Sequence, residues 1–158
     1  MRYRLIAVDL DGTLLDHNLR ISPRNKRALK EAAKRGVMVT VATGRMYRTS
    51  IPYVRELELN TDWPMINYHG ALIKTTESKK VLHYQPVDLD LAVDIAAYAE
   101  AERYHVNAFI GDCLYIEAEN EFSRYYQSIA DVELEAVGKL SHYLKQRGEA
   151  PAKLTIIN

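Results

Sequence analysis

Leu5-Ile6-Ala7-Val8-Asp9-Leu10-Asp11-Gly12-Thr13 decides how the rest of the chain is read. Four apolar residues suited to extended backbone run directly into two aspartates, a glycine and a threonine. A short apolar run of this kind reads as a strand buried on both faces, the pattern of a parallel sheet. The polar residues that end it are loop chemistry, so Asp9 closes the strand and its carboxylate is aimed by it.

The segments that follow repeat the alternation. Ser22 can cap the free amides of a helix start, and Pro23 is pre-set for the first helical position. Ala28, Leu29, Ala32 and Ala33 recur at helical spacing and Gly36 supplies the stop. Val37-Met38-Val39-Thr40-Val41 reads as a second buried strand that ends in Ala42-Thr43-Gly44-Arg45. A helix is expected over Tyr47 to Leu57, kinked or shifted by Pro52. Pro64-Met65-Ile66-Asn67 reads as a third strand. Strand, helix, strand, helix, strand predicts an α/β fold, a Rossmann-like doubly wound parallel sheet.

The pattern then changes. Residues 71–74 and 80–84 read as a hairpin around a polar stretch. From Val87 the chain reads as α+β: a helix over Asp88 to Arg103, strands at 106–110 and 114–117, a helical stretch between Glu121 and Gln146, and a strand at Lys153-Leu154-Thr155-Ile156-Ile157. The expected boundary gives domains 1–84 and 85–158. An ending directly after an apolar strand reads as truncation.

Composition narrows the function classes. The 158 residues carry 21 Lys+Arg and 21 Asp+Glu, so the formal net charge is zero and a general affinity for nucleic acid or an anionic membrane is not expected. One cysteine, Cys113, excludes an intrachain disulfide and suits a reducing cytoplasm. The apolar N-terminal run is too short for a signal peptide.

In an open parallel sheet, ligands bind beyond the carboxyl ends of the strands. Two aspartates one residue apart repel each other, and a divalent cation offsets that cost. A hard cation with oxygen ligands fits, and Mg2+ also holds phosphate oxygens. Gly12 lets the backbone approach a phosphate. Thr43 offers a hydroxyl, although a helix cap explains it equally well, and Arg45 is either a ligand contact or a solvated helix-start residue.

These motifs resemble the haloacid dehalogenase superfamily of phosphohydrolases. Asp9-Leu10-Asp11-Gly12-Thr13 matches its first motif, Asp-x-Asp-Gly-Thr, and Thr43 matches the Ser/Thr of its second. Thr43-Gly44-Arg45, with Ile66-Asn67-Tyr68-His69-Gly70-Ala71 following, is most similar to the Cof-type sugar-phosphate phosphatases, with His69 where that group has asparagine. The resemblance implies an incomplete core over residues 1–84 and part of an α+β cap over 85–158. It implies a Mg2+-dependent phosphatase for a small phosphorylated metabolite. Asp9 would be the nucleophile and Asp11 the acid–base group, and the Asp9 carboxylate and the Asp11 backbone carbonyl would serve the metal. Leu10, Gly12, Thr43 and Gly44 would hold phosphoryl oxygens. Arg45, Asn67, His69, Gly70 and Lys153 would lie on the substrate side.

The family's third-motif lysine and fourth acidic motif are expected beyond residue 158, so the other reading is a non-catalytic fragment that keeps phosphate or Mg2+ affinity. The strand bearing Asp9 would then have an open edge, to be covered by a second copy of the chain or a rearranged terminal segment. Gly111-Asp112 reads as a hairpin turn, not the missing acidic motif. Lys153 reads more readily as a snorkelling surface lysine. Tyr98, Tyr104, Tyr125 and Tyr126 either line a sugar pocket or pack at a surface.

Overall fold

Ser22 starts the first helix as its residue type predicts. Its Oγ accepts the Asn25 amide at 3.1 Å, Pro23 takes the first turn, and α1 runs over Pro23–Lys34. This and the other elements are described from a computed structural model, covering residues 3–59, 62–129 and 132–158. The described residues form two compact units that divide between Tyr84 and Gln85.

In the first unit, β1 (Leu5–Val8) pairs in parallel with β2 (Met38–Val41), in the register Leu5↔Met38 to Val8↔Val41. Helix α2 (Tyr47–Glu56) follows and runs through Pro52. Strand β3 (Pro64–Asn67) leads through a tight 3-10 turn at Tyr68–Gly70 into β4 (Leu72–Thr75), and β5 (Val81–Tyr84) completes an antiparallel meander. Leu10, Leu14, Leu15, Ile21, Val41 and Leu57 form the core beneath the first strand ends.

Two expectations need correction here. The single doubly wound parallel sheet is divided. β3 meets β2 in parallel at one bridge, Ala42↔Ile66, reinforced by the Thr43 amide on the Ile66 carbonyl at 2.9 Å, and then spends its other edge on antiparallel β4. Nor is β1 buried on both faces: Leu5 is 54% exposed, because β2 is the only strand beside β1 among the described residues. Tyr3, Leu5, Ile6, Ala28, Ala32 and Val37 line an apolar groove of about 680 Å3 along it.

The second unit opens with α3 (Leu89–Glu102), capped by Asp88 on the Leu91 amide and ended by Arg103 in the left-handed conformation. Strands β6 (His105–Ile110) and β7 (Cys113–Ile116) form a hairpin whose turn is Gly111-Asp112. Helix α4 (Glu121–Ile129), β8 (Glu133–Ala136), α5 (Leu140–Arg147) and β9 (Lys153–Ile157) complete a sheet of order β8-β7-β6-β9. The helical stretch expected between Glu121 and Gln146 is two helices with a strand between them. Glu133-Leu134-Glu135-Ala136 has helix-forming composition, but its alternation suits a strand, and parallel pairing with β7 decides it. Ala92, Ala96 and Ala99 of α3 pack with Leu140 and Leu144 of α5 on Val106, Ala108 and Ile110. Among the described residues no helix is long and apolar enough to cross a membrane.

Candidate active site

The β1–β2 ladder ends at Val8↔Val41, and the Ala42 amide still bonds the Val8 carbonyl at 3.0 Å. Asp9 and Thr43 therefore leave the sheet from neighbouring strand ends. The loop after Asp9 folds back tightly: the Leu14 amide reaches the Asp9 carbonyl at 3.1 Å and the Leu15 amide the Leu10 carbonyl at 2.8 Å. Leu10 anchors this turn with a fully buried side chain, so only its backbone faces the loop. Gly12 sits at φ +71°, a conformation L side chains rarely adopt, and open space surrounds its Cα. The sequence places glycine where the turn requires it.

Asp9 is exposed, and its carboxylate has no hydrogen-bond partner among the described residues. Asp11 is held. Arg45 donates from Nε to Asp11 Oδ2 at 2.7 Å and from Nη2 to Oδ1 at 2.5 Å, a two-pronged ion pair. The guanidinium lies 5.3 Å from the centroid of the Tyr53 ring. Its pKa is raised, chiefly by the hydrogen bond to Asp11 and against the opposing effect of burial.

Thr43 is buried, and its Oγ1 accepts the Arg45 amide at 3.2 Å. This turns the loop; it does not cap α2, whose N-cap is Met46 without a side-chain bond. Gly44 lies beneath His69. The His69 amide donates to the Thr43 carbonyl at 3.1 Å, His69 itself adopts φ +55°, and Gly70 follows at φ +106°. The third strand end is thus laced onto the second.

Asn67 was expected on the substrate side, and the structure places it inside. It is fully buried, and its Nδ2 donates to the Ser50 hydroxyl at 2.7 Å and the Arg45 carbonyl at 3.2 Å. It buttresses the loop from behind. Arg45 likewise turns toward Asp11. Ser50 and Tyr53, which support Asn67 and Arg45, are residues the sequence reading missed; a helix-borne serine and tyrosine carry no local signal of such a role. Lys153 belongs to the second unit. Burial lowers its pKa, and its Nζ lies 5.4 Å from the centroid of the Phe109 ring. Tyr98 and Tyr125 are exposed, while Tyr126 packs edge-on against Phe109.

Hard carboxylate oxygens suit Mg2+ in kind. No group of three or more His, Cys, Asp or Glu that could hold a metal occurs among the described residues, and Arg45 bonds both Asp11 carboxylate oxygens, which leaves the Asp11 backbone carbonyl as that residue's metal-facing group. Asp9 is the carboxylate that would hold the ion.

An α/β unit with paired aspartates at its first strand end and a buried threonine at its second defines a class of hydrolases. Residues 6–158 match the family of haloacid dehalogenase-like hydrolases, and the chain belongs to it, in agreement with the Cof-type resemblance of its motifs. It is 36% identical over 112 residues to phosphatase YwpJ of Bacillus subtilis, covering 71% of this chain and 38% of that protein. It is 32% identical over 119 residues to the 5-amino-6-(5-phospho-D-ribitylamino)uracil phosphatase YitU of the same organism, covering 74% and 43%. The crystal structure of TM0651 from Thermotoga maritima superposes with a TM-score of 0.80 at 31% identity, over 99% of this chain and 57% of that one. The chain thus spans about two fifths of the length of these curated relatives.

Proposed function

We propose that the protein is a phosphatase that hydrolyses a small phosphorylated metabolite through an aspartyl-phosphate, in the cytoplasm. The observation that carries the reading is the contrast between the two strand-end carboxylates: Asp9 exposed and unpartnered among the described residues, Asp11 pinned by Arg45. A nucleophile needs free lone pairs, and an acid–base group needs a fixed position.

In this reading an Asp9 oxygen attacks phosphorus, and the bond to the ester oxygen breaks. Asp11 delivers a proton to the departing alkoxide. Water then attacks the aspartyl-phosphate, Asp11 takes a proton from it, and inorganic phosphate leaves with Asp9 restored. The turn around Leu10 and Gly12 and the Thr43-Gly44 loop cradle the phosphoryl oxygens. Mg2+, when bound at Asp9, supplies positive charge beside the phosphoryl group. The substrate class is supported by YitU, a phosphatase of a ribityl phosphate. Residues 85–158 are part of the cap that selects substrate in this reading, with Lys153 as its specificity candidate and His69 and Gly70 as those of the first unit.

Phosphate release from alkyl and aryl phosphate esters in Mg2+ tests the proposal. Asp9→Asn is expected to abolish turnover, and Asp11→Asn to lower it by about 10²–10⁴. Unchanged turnover in Asp9→Asn overturns it. A second reading is phosphate or Mg2+ binding without hydrolysis, supported by the chain's spanning about two fifths of the length of its phosphatase relatives. Calorimetric binding with no phosphate release would establish that one. A second copy of the chain, or a rearranged terminal segment, is proposed to cover the β1 edge that carries no strand among the described residues. Sedimentation velocity that shows only monomer up to high concentration removes the second copy.

A further inference from the structure

Arg45 is held through both its backbone and its side chain. Its amide donates to Thr43 Oγ1 at 3.2 Å, and its carbonyl accepts from the Tyr68 amide at 3.1 Å and Asn67 Nδ2 at 3.2 Å. Its side chain is 16% exposed and lies against Tyr53, while that of Asp11 is 52% exposed. The planar fork engages one Asp11 oxygen with Nε and the other with Nη2, which fixes the carboxylate plane as well as its position.

We propose that Arg45 is the positioning residue for Asp11, orienting its carboxylate for proton transfer, and that it does not grip the substrate. The proposal rests on the reading of Asp11 as the acid–base group. An exposed aspartate on a loop otherwise samples several rotamers, and proton transfer requires the carboxylate within hydrogen-bond reach of the ester oxygen. A guanidinium that recognised substrate would have to direct its fork at the ligand; this fork is closed on an internal carboxylate. The support continues inward through Asn67 to Ser50, so the acid–base group is braced against the start of α2.

The test compares an alkyl phosphate with 4-nitrophenyl phosphate in the full-length protein. An alkoxide needs a proton in order to leave, and 4-nitrophenolate does not. Arg45→Ala is expected to lower kcat/KM on the alkyl ester about tenfold more than on the aryl ester, because kcat/KM reports the leaving-group step and not the shared hydrolysis of the aspartyl-phosphate. Arg45→Lys is expected to fail as a replacement, because an ammonium cannot span both oxygens. An equal fall in kcat/KM on both esters makes Arg45 a substrate contact and overturns the proposal. Turnover that survives Asp9→Asn, or no turnover at all, defeats the phosphatase reading instead. The clamp is then judged by the Tm values of Arg45→Ala, Asp11→Ala and the double variant. Losses that are less than additive support it, and strictly additive losses overturn it.

Discussion

The imidazole of His69 occupies the space that a side chain at Gly44 would need: a Cβ there would collide with Cε1 and Nε2 and lie 3.2 Å from Cδ2. The glycine of the Thr43-Gly44-Arg45 loop is thus required by close approach, and not by backbone conformation. The contact comes from the far end of an exposed side chain, so the ring can swing away at modest cost. Gly44→Ala is expected to lose about 0.5–1.5 kcal/mol, the cost of an off-rotamer side chain. Gly44→Ala combined with His69→Ala is expected to recover most of it, as read by urea denaturation.

Ser22→Ala removes the side-chain acceptor for the Asn25 amide at the start of α1. The cost is expected to be about 1 kcal/mol, with Ser22→Asp close to neutral. Equilibrium denaturation of the two variants checks this.

Asp62 contributes to the acid dependence of the first unit. Hydrogen bonds from the Ser78 hydroxyl, the Ser78 amide and the Glu77 amide hold its pKa down to about 2 from 3.8. Because the folded value is depressed, its contribution is complete above about pH 4 and is lost as pH falls toward about 2. Asp62→Asn is expected to flatten the Tm–pH curve in that window and to leave its shape near neutrality unchanged. An identical acid slope in the variant would count against the assignment.

Tyr47 ties α2 to the hairpin. Its buried hydroxyl lies 3.0 Å from the carbonyls of both Thr75 and Thr76, and Lys74 Nζ sits 4.4 Å from its ring centroid. Tyr47→Phe keeps the ring and deprives the carbonyls of that donor, for an expected loss of about 1–2 kcal/mol. Chemical denaturation measures it.

The positions of Asp9, Asp11 and Thr43 at strand ends, and the helix start at Ser22, were legible because their signals are local: residue type, spacing and the end of an apolar run. The roles of Arg45 and Asn67 were not. Each is decided by a partner distant in sequence, Asp11 for Arg45 and both Ser50 and the Arg45 carbonyl for Asn67, and residue type alone allows either a ligand contact or an internal brace. The misreading of β1 has the same origin. Its composition says that it seeks burial, but the extent of burial depends on neighbours that the strand itself does not specify. At β8, helix propensity pointed one way and a parallel partner prevailed.

The proposed nucleophile is carried by a strand held from one side. β1 has four registered residues, all paired to β2, and no second strand beside it among the described residues. Catalytic groups work within tolerances of about half an ångström, so the aim of Asp9 can be no steadier than that ladder. Whatever quiets β1 raises the fraction of time Asp9 spends aligned. Hydrogen exchange at the amides of Leu5 to Val8 would therefore be a direct gauge of how ready the site is to react.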